Sequence, residues 1–263
     1  MKKVILIFVF ALSFWVSSFA CDICGCGVGN NYIGILPDFK QKIIGLRFRY
    51  NSMLSHIGVD GVRTYLTTDE TYRTLELYGG WNIGKHFRAM ATVPYSFNER
   101  ENRGTTSRKN GMGDISFTVY YQLLNSRKMF RQKLLVQNLF IGAGLKLPTG
   151  KYNPADKGNT SESGNLFQLG TASVDYTITA MYDLRVQDIG INVNGSYKIN
   201  GTNKYEYRYG NKLTATTQLY YKYKMKNNLS LAPNAGILYE NGKTDTDNGF
   251  RVDISGGKIF CVT

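Results

Sequence analysis

Apolar and polar side chains alternate with a period of two along most of the chain after residue 40. In the first such run, Leu46 and Phe48 alternate with Arg47 and Arg49. Because successive side chains of a strand point to opposite faces, each run predicts a strand with one apolar and one polar face. Ten runs follow one another, near residues 44–50, 72–83, 87–97, 114–123, 138–147, 171–183, 189–199, 212–223, 229–240 and from Phe250 onward. This pattern predicts an all-β fold.

The segments between the runs are alternately short and long. The short connections are residues 82–86, 125–131, 185–188 and 225–228. The long, polar connections are residues 52–70, 98–112, 149–165, 201–209 and 241–249. Short turns on one side and long loops on the other are typical of outer-membrane barrels. Pro94 interrupts the third run; since proline has no N–H to donate to a ladder, we expect it at a bulge or at the rim.

The direction of the apolar face separates two all-β architectures. In a soluble sandwich or a lipocalin-like barrel the apolar face points inward. In a membrane barrel it faces lipid, and the sheet must close because lipid offers no hydrogen bonds to an open edge. Runs of about ten residues are long enough for a tilted strand to cross the hydrocarbon. We therefore predict, for residues 40–263, a transmembrane antiparallel up-and-down β-barrel in a Gram-negative outer membrane, of about ten strands, or twelve in a complete chain.

Residues 1–20 have the features of a secretory signal peptide. Lys2 and Lys3 precede an apolar stretch over residues 4–16, and residues 18–20 offer a cleavage site. Removal of the two lysines changes the formal charge from +13 to +11 (13 − 2). A positive net charge favours binding to anionic surfaces or solutes. Nucleic acid is not an expected partner, because the chain is exported and has no recognisable nucleic-acid-binding motif.

Three cysteines, Cys21, Cys24 and Cys26, lie close together in the segment 21–39 that follows the signal peptide. Thiolates favour copper(I) or zinc, and three of them suit a trigonal copper(I) site. Zinc would require a fourth ligand, for which Cys261 is the remaining thiol. Two other interpretations stay open, a disulfide among these cysteines and a lipid anchor on Cys21. The segment is also a candidate contact for a protein partner.

Basic residues are expected on the polar face that lines the interior. They are Arg47, Arg49, Arg73, Arg88, Lys146, Lys198, Lys212 and Lys222. Basic rings inside a pore prefer anions. The alternative is that these residues form ion pairs that fill the interior, and the candidate acids are Glu76, Asp114, Asp175 and Glu240. Because about eight strands leave an interior that side chains just fill, we expect a narrow or occluded lumen at ten to twelve strands.

The sequence does not favour an enzyme. Nucleophilic catalysis usually needs a base beside the nucleophile. The two histidines, His56 and His86, fall in a long loop and in a short turn on the opposite side of the predicted membrane. Asp245 and Asp247 lie in another loop, where a solvated surface or a weak cation site is the simpler interpretation. No catalytic residues are therefore predicted.

Three short motifs occur in a recognisable order. They are Gly111-Met112-Gly113-Asp114-Ile115 at the start of the fourth strand, Leu145-Lys146-Leu147-Pro148-Thr149-Gly150 at the end of the fifth, and Gly170-Thr171 through Asp175-Tyr176 in the sixth. In this order the chain resembles the outer-membrane barrel family associated with meta-pathway phenol degradation. The resemblance extends over residues 40–255. It implies a barrel and a passage role for small organic compounds, and it brings no catalytic residues.

The first two motifs also have a structural interpretation. Gly111 and Gly113 would let the chain turn from a loop into a strand, and residues 148–150 have the composition of a turn. Asp114 would then face the interior, within reach of Arg47 or Arg88.

Together these patterns predict a passive transporter or channel for a small anionic or aromatic solute, surrounded by outer-membrane lipid. The alternative is a non-transporting barrel that acts as a structural or metal-binding accessory in a membrane complex.

Overall fold

The computed structural model describes residues 42–55, 62–64, 67–102, 104–130, 132–157, 167–225, 230–253 and 255–262. The predicted signal peptide (1–20) and cysteine segment (21–39) lie outside these residues, so both stay predictions. Within the described ranges, no helix is long and apolar enough to cross a membrane.

Strands form nearly all of the regular structure. They are β1 (Ile43–Ser55), β2 (Thr68–Ile83), β3 (Phe87–Asn102), β4 (Thr105–Met112), β5 (Ser116–Phe130), β6 (Lys133–Lys146), β7 (Asp175–Val186), β8 (Ile189–Asn200), β9 (Tyr207–Arg208), β10 (Lys212–Tyr221), β11 (Tyr223–Lys224), β12 (Ser230–Leu231), β13 (Asn234–Gly242), β14 (Thr246–Asp247), β15 (Phe250–Arg251) and β16 (Gly257–Val262). A 3-10 helix, Pro154–Lys157, lies between β6 and β7. The predicted all-β class is confirmed.

One antiparallel sheet contains eleven of these strands, and ten of them lie on a single path. The order along the path is β1-β2-β3-β5-β6-β7-β8-β10-β13-β16, while β4 pairs with β3 beside it. The order of these ten strands in the sheet is therefore the same as their order in the sequence. This is the predicted up-and-down arrangement of about ten strands.

The connections alternate in length as predicted. On one side, residues 84–86 join β2 to β3 and residues 187–188 join β7 to β8. On the other side, residues 147–174 join β6 to β7 and residues 243–256 join β13 to β16. The long-loop side also carries a small sheet of β9, β14 and β15.

The tenth strand begins later than the sequence pattern indicated. Phe250 was expected to start it, but this residue lies in β15 of the small loop sheet. The main sheet continues instead with β16, which pairs with β13. Gly256 and Gly257 precede and open β16 with φ angles of 84° and 132°, which glycine adopts without steric cost. Alternation around Phe250 could not distinguish a loop strand from a barrel strand.

Pro94 was predicted at a bulge or at the rim; it lies where one side of β3 changes its partner strand, while its pairing with β2 is unbroken. Residues 87–92 of β3 pair with β5, whereas residues 95–102 pair with β4. Between these two ladders, the Pro94 carbonyl accepts a hydrogen bond of 2.9 Å from the Gly113 N–H. The partner of β3 thus changes at a residue that cannot donate to a ladder.

The two faces of the sheet differ in polarity and in exposure. The outward face carries exposed apolar side chains, among them Ile44, Leu46, Phe48, Leu77, Phe117, Val119, Ile141, Tyr176, Ile178, Leu219, Ile237 and Phe260. The opposite face carries buried polar side chains, among them Glu76, Arg88, Ser116, Thr118, Gln122, Lys146, Asp175, Thr179, Asn192, Thr214, Gln218 and Glu240. A flat sheet would expose both faces alike, so the sheet curls around its polar face. This distribution matches a membrane barrel and is the reverse of a soluble sandwich.

The first and last strands of the path are the two edges of the described sheet. Among the described residues, β1 pairs only with β2, and β16 pairs only with β13. Direct closure of the ring between β1 and β16 is therefore not among the described pairings.

Candidate functional site: a charged row on the inner wall

Charged side chains from neighbouring strands form one row across the inner wall. Its members are Arg47 and Arg49 on β1, Glu76 on β2, Asp114 just before β5, Lys146 on β6, Asp175 on β7, Lys198 on β8, Lys212 on β10 and Glu240 on β13. We call these nine residues the charged row. It contains five of the eight basic residues that the sequence predicted for the interior.

Strand register brings the members of the charged row to a common level. Residues directly opposite one another include Arg47 and Glu76, Ser116 and Lys146, Lys146 and Asp175, Thr177 and Lys198, Lys198 and Lys212, and Thr214 and Glu240. Cross-strand neighbours on one face have Cβ atoms about 5 Å apart. The long charged side chains can therefore reach one another within two groups: Arg47, Arg49 and Glu76 on β1 and β2, and the six members from Asp114 to Glu240, with β3 between the two groups.

Every acidic member of the charged row is paired with a basic member. The nitrogen–oxygen distances are 2.6 Å for Lys146–Asp114, 2.7 Å for Lys146–Asp175, 3.2 Å for Lys198–Asp175, 2.6 Å for Lys212–Glu240 and 2.7 Å for Arg47 Nε–Glu76. Arg49 pairs with Glu76 as well. The internal ion pairing that the sequence offered as an alternative is confirmed. For Asp114 the predicted partner was wrong, because Lys146 binds it instead of Arg47 or Arg88.

Exposure is distributed unevenly within these pairs. The basic side chains of the charged row retain 10% to 24% of their accessible surface, whereas the acidic side chains retain 0% to 6%. The basic side chains are thus less covered than the acidic side chains with which they pair. Five basic and four acidic groups nearly cancel in charge.

The three sequence motifs meet at Asp114. Its carboxylate accepts hydrogen bonds from the Gly150 N–H (2.9 Å), the Thr171 N–H (2.9 Å) and the Thr171 hydroxyl (3.0 Å), besides the ion pair with Lys146. Gly150 and Lys146 belong to the second motif and Thr171 to the third, while Asp114 belongs to the first. The carboxylate therefore ties the start of β5 to both ends of the β6–β7 loop.

Glycine is required where these motifs touch. A Cβ on Gly150 would lie 2.8 Å from the Gly170 Cα and 2.9 Å from the Gly113 carbonyl carbon, and a Cβ on Gly170 would lie 2.7 Å from the Gly150 Cα. Real Cβ atoms do not approach backbone so closely. The glycines of the motifs thus serve the close packing of three backbone segments.

The β6–β7 loop also packs against side chains of other elements. The buried Phe167 ring has the Arg100 guanidinium 4.7 Å and the Lys109 ammonium 5.1 Å from its centroid. Lys109 Nζ also donates to the Phe167 carbonyl at 2.8 Å. At the other end of the loop, Tyr152 stacks on Tyr205 with centroids 5.3 Å apart. The loop is therefore held from β3 and β4 on one side to the β8–β9 connection on the other.

Asp245 differs from its predicted solvated position. It is buried and accepts hydrogen bonds from the Tyr207 hydroxyl and from the Gly210 N–H, the latter at 2.7 Å. Burial raises the pKa of the Asp245 carboxyl, although the Tyr207 hydroxyl, the Gly210 N–H and the Lys212 charge oppose this effect. Burial likewise raises the pKa of the neighbouring Tyr209 hydroxyl. Asp245 is thus a structural anchor of the small sheet of β9, β14 and β15 and its connections, which we call the loop layer. The prediction of a solvated surface position for Asp245 was wrong.

Three predicted interior residues lie outside the charged row. Arg88 is fully buried on the inward face, and its Nε donates to Asn82 at 2.9 Å. Lys222 is half-buried just after β10, on the short-turn side. The prediction that Arg73 faces the interior was wrong, because Arg73 is exposed on the outward face between Tyr50 and Phe97. Its position in β2 has the parity of the lipid-facing residues.

The cysteine and histidine predictions are only partly covered by the structure. Cys21, Cys24, Cys26 and His56 lie outside the described residues, so the metal, disulfide and lipid-anchor interpretations stay predictions. Cys261 lies on β16 with the inward parity of the buried Ile259.

One interior ion pair was missed by the sequence reasoning. Arg100 pairs with Glu70 at 2.7 Å, and the Tyr72 hydroxyl donates to the same carboxylate. Arg100 fell in a predicted loop, but β3 continues through it to Asn102. The polar parity of Ser96 continues through Asn98 to Arg100, and this signal could have located it.

Comparison with known proteins identifies the family. No curated protein matches the chain. A family model whose description reads "Putative MetA-pathway of phenol degradation" matches residues 56–258, which is most of the chain. The chain belongs to this family. The membership confirms the resemblance carried by the three motifs, which meet at Asp114.

A solved structure supports the same fold for this member of the phenol-degradation family. The chain is similar to an outer membrane channel from Pseudomonas putida F1, with a TM-score of 0.55 and 16% sequence identity over 83% of this chain and 79% of that chain. At this identity the likeness shows the fold. The family, the barrel fold and the exposed apolar face together place the protein in the outer membrane.

Proposed function

We propose that this protein is a passive pathway for small organic solutes across the outer membrane. The observation that carries the proposal is the polar inner wall, to which nearly every strand of the sheet contributes hydroxyl, amide or charged side chains. A polar face enclosed by an apolar exterior is what a solute pathway through lipid requires. The channel of similar fold and the family membership support the same role. Passage needs no covalent step, and no catalytic group is part of the proposal.

The burial of the inner wall favours a narrow pathway. Arg88, Asp175 and Glu240 are almost inaccessible to solvent, although they face inward. In a wide aqueous channel such side chains would be hydrated. We therefore expect passage of small solutes and exclusion of large ones.

Liposome swelling tests the proposal directly. The full chain, refolded into vesicles and checked for folding by heat-modifiable gel migration, is expected to admit small organic solutes at rates that fall steeply with solute size. Protein-free vesicles are the control. Swelling equal to that of the control, with the protein folded, would contradict the proposal.

The accessory role through Cys21, Cys24 and Cys26 stays a separate prediction. Metal analysis of the purified full chain, compared with a variant in which the three cysteines are replaced by serine, would measure it. Bound copper or zinc lost in that variant is the expected result for this role.

A further inference from the structure

We infer that the pathway selects small organic anions, and that the ammonium groups of Lys198 and Lys212 bind the carboxylate of the solute. The inference rests on the proposed pathway and names the class of solute that it carries.

Lys198 and Lys212 are the least covered members of their ion pairs. Their side chains retain 19% and 24% of their accessible surface, whereas Lys146 retains 10% and the acids that pair with them 0% to 2%. A surface that presents donors of one sign in a confined space attracts ions of the opposite sign.

Two like charges face each other across the strand pair β8–β10. Lys198 and Lys212 are directly opposite on β8 and β10 and share the inward face. Like charges in this position destabilise a sheet. A carboxylate placed between the two ammonium groups would offset their repulsion, and it would accept charge-assisted hydrogen bonds from both.

Lys198 shares its acidic partner with another lysine. Its acidic partner, Asp175, lies 3.2 Å from Lys198 and closer, 2.7 Å, to Lys146. Asp175 is therefore shared between two lysines. Lys212 has Glu240 as its own partner at 2.6 Å. Within this stretch of the charged row, Lys198 is the cation with the weakest local compensation.

Ion selectivity in planar bilayers tests the inference. The refolded full chain is expected to show a reversal potential that favours anions in a KCl gradient. The double variant Lys212→Gln/Glu240→Gln removes a half-buried lysine and the buried carboxylate that pairs with it. The net charge is then unchanged, and the Glu240 carboxylate is not left without Lys212. We expect the anion-to-cation permeability ratio of this variant to fall at least about twofold.

A second variant and a matched control complete the experiment. Lys198→Gln leaves Asp175 paired with Lys146 and should lower the ratio in the same direction. Arg108→Gln/Glu99→Gln removes an exposed ion pair of the β3–β4 hairpin, outside the charged row, and should leave the ratio unchanged. A preference for cations, or a ratio that does not change in the two lysine variants, would overturn the inference.

Binding separates a failure of this inference from a failure of the proposed pathway. The probes are benzoate and its neutral analogue benzamide, titrated calorimetrically into the folded protein in detergent. A protein that conducts nothing yet binds benzoate, and loses this binding in the Lys212→Gln/Glu240→Gln variant, would refute the pathway and keep the anion site. A conducting protein that binds both probes equally would keep the pathway and refute the anion site. A protein that neither conducts nor binds benzoate would refute both.

Discussion

Lys146 holds two buried carboxylates, Asp114 and Asp175, at 2.6 Å and 2.7 Å. Lys146→Met would remove the cation and leave Asp114 with neutral donors alone. Breaking a buried pair from one side typically costs about 3–5 kcal/mol, so we expect a loss of unfolding free energy of that order. Urea unfolding of the protein refolded in lipid vesicles would measure it. Arg108→Met, at the exposed Arg108–Glu99 pair, is the control and should cost less than about 1 kcal/mol.

Gly150 has no room for a side chain, because its neighbours are backbone atoms of Gly113 and Gly170. Gly150→Ala should push the three motif segments apart and cost about 1–3 kcal/mol, as overpacking does elsewhere. Faster proteolysis of the β6–β7 loop would report the loosening. Gly195 has no atom within 4 Å of an added Cβ, so Gly195→Ala is a matched control with an expected change within about 0.5 kcal/mol. Equal effects of both substitutions would contradict the close packing of the motifs.

Asp245 should make the stability of the loop layer depend on pH. Burial raises the pKa of its carboxyl in the folded state, so the folded form retains a proton that the unfolded form releases. The associated stability is fully present below the ordinary Asp pKa of about 4 and is lost as the pH rises through the raised pKa. The protection of the β9 and β14 amides, measured as the ratio of the intrinsic to the observed hydrogen-exchange rate, should therefore fall over this window. Asp245→Asn should remove this part of the dependence, and an unchanged profile would argue against it.

At the scale of single elements, the outward face of each strand should not tolerate a charge. Phe117 is the second residue of β5, opposite Ala91 and Leu145, and is exposed. Phe117→Lys would place an ammonium group in the hydrocarbon and should cost about 2–4 kcal/mol in the lipid-folded state. Phe117→Leu, which keeps the face apolar, is the control for urea unfolding in the same vesicles. If Phe117→Lys left the free energy of unfolding unchanged, this face would contact water instead of lipid.

The sequence pattern predicted elements well wherever one face was apolar over several residues. β5 and β7 lie where the alternation around Phe117 and Ile178 indicated. It missed β4, because Thr105–Met112 is mostly polar and has no apolar face, and it misplaced β15, because a loop sheet can alternate without contacting lipid. The position of Arg73 was also predicted wrongly. A basic residue was assumed to face inward, although the alternation of β2 puts Arg73 on the apolar face. Periodicity reports the two faces of a strand but not which strands the membrane covers.

For the site, the sequence indicated the participants more readily than their arrangement. The acids of the charged row were identifiable from their parity. That Asp175 serves both Lys146 and Lys198, and that Asp114 joins three motifs, depends on register and loop conformation. Neither follows from spacing along the chain. The uneven exposure of the ion pairs required coordinates, because it is a property of how side chains cover one another.

At the scale of the whole molecule, the account depends on an apolar exterior around a polar interior. Trp81 is exposed on the outward face, and the other tryptophan, Trp15, lies in the predicted signal peptide. Mature protein would therefore carry one natural reporter of the outer surface. Two variants extend the test to the first part of β5: Trp81→Phe/Phe117→Trp places the reporter outward, and Trp81→Phe/Tyr120→Trp places it inward, where Tyr120 is buried.

Tryptophan quenching by brominated lipids is the most direct measurement of this arrangement. Chain-brominated phosphatidylcholine should strongly quench the fluorescence of the Phe117→Trp variant and leave that of the Tyr120→Trp variant largely unquenched. Quenching of the inward reporter with protection of the outward one would mean that the apolar face is the interior, and the account of a membrane barrel with a polar inner wall would be wrong.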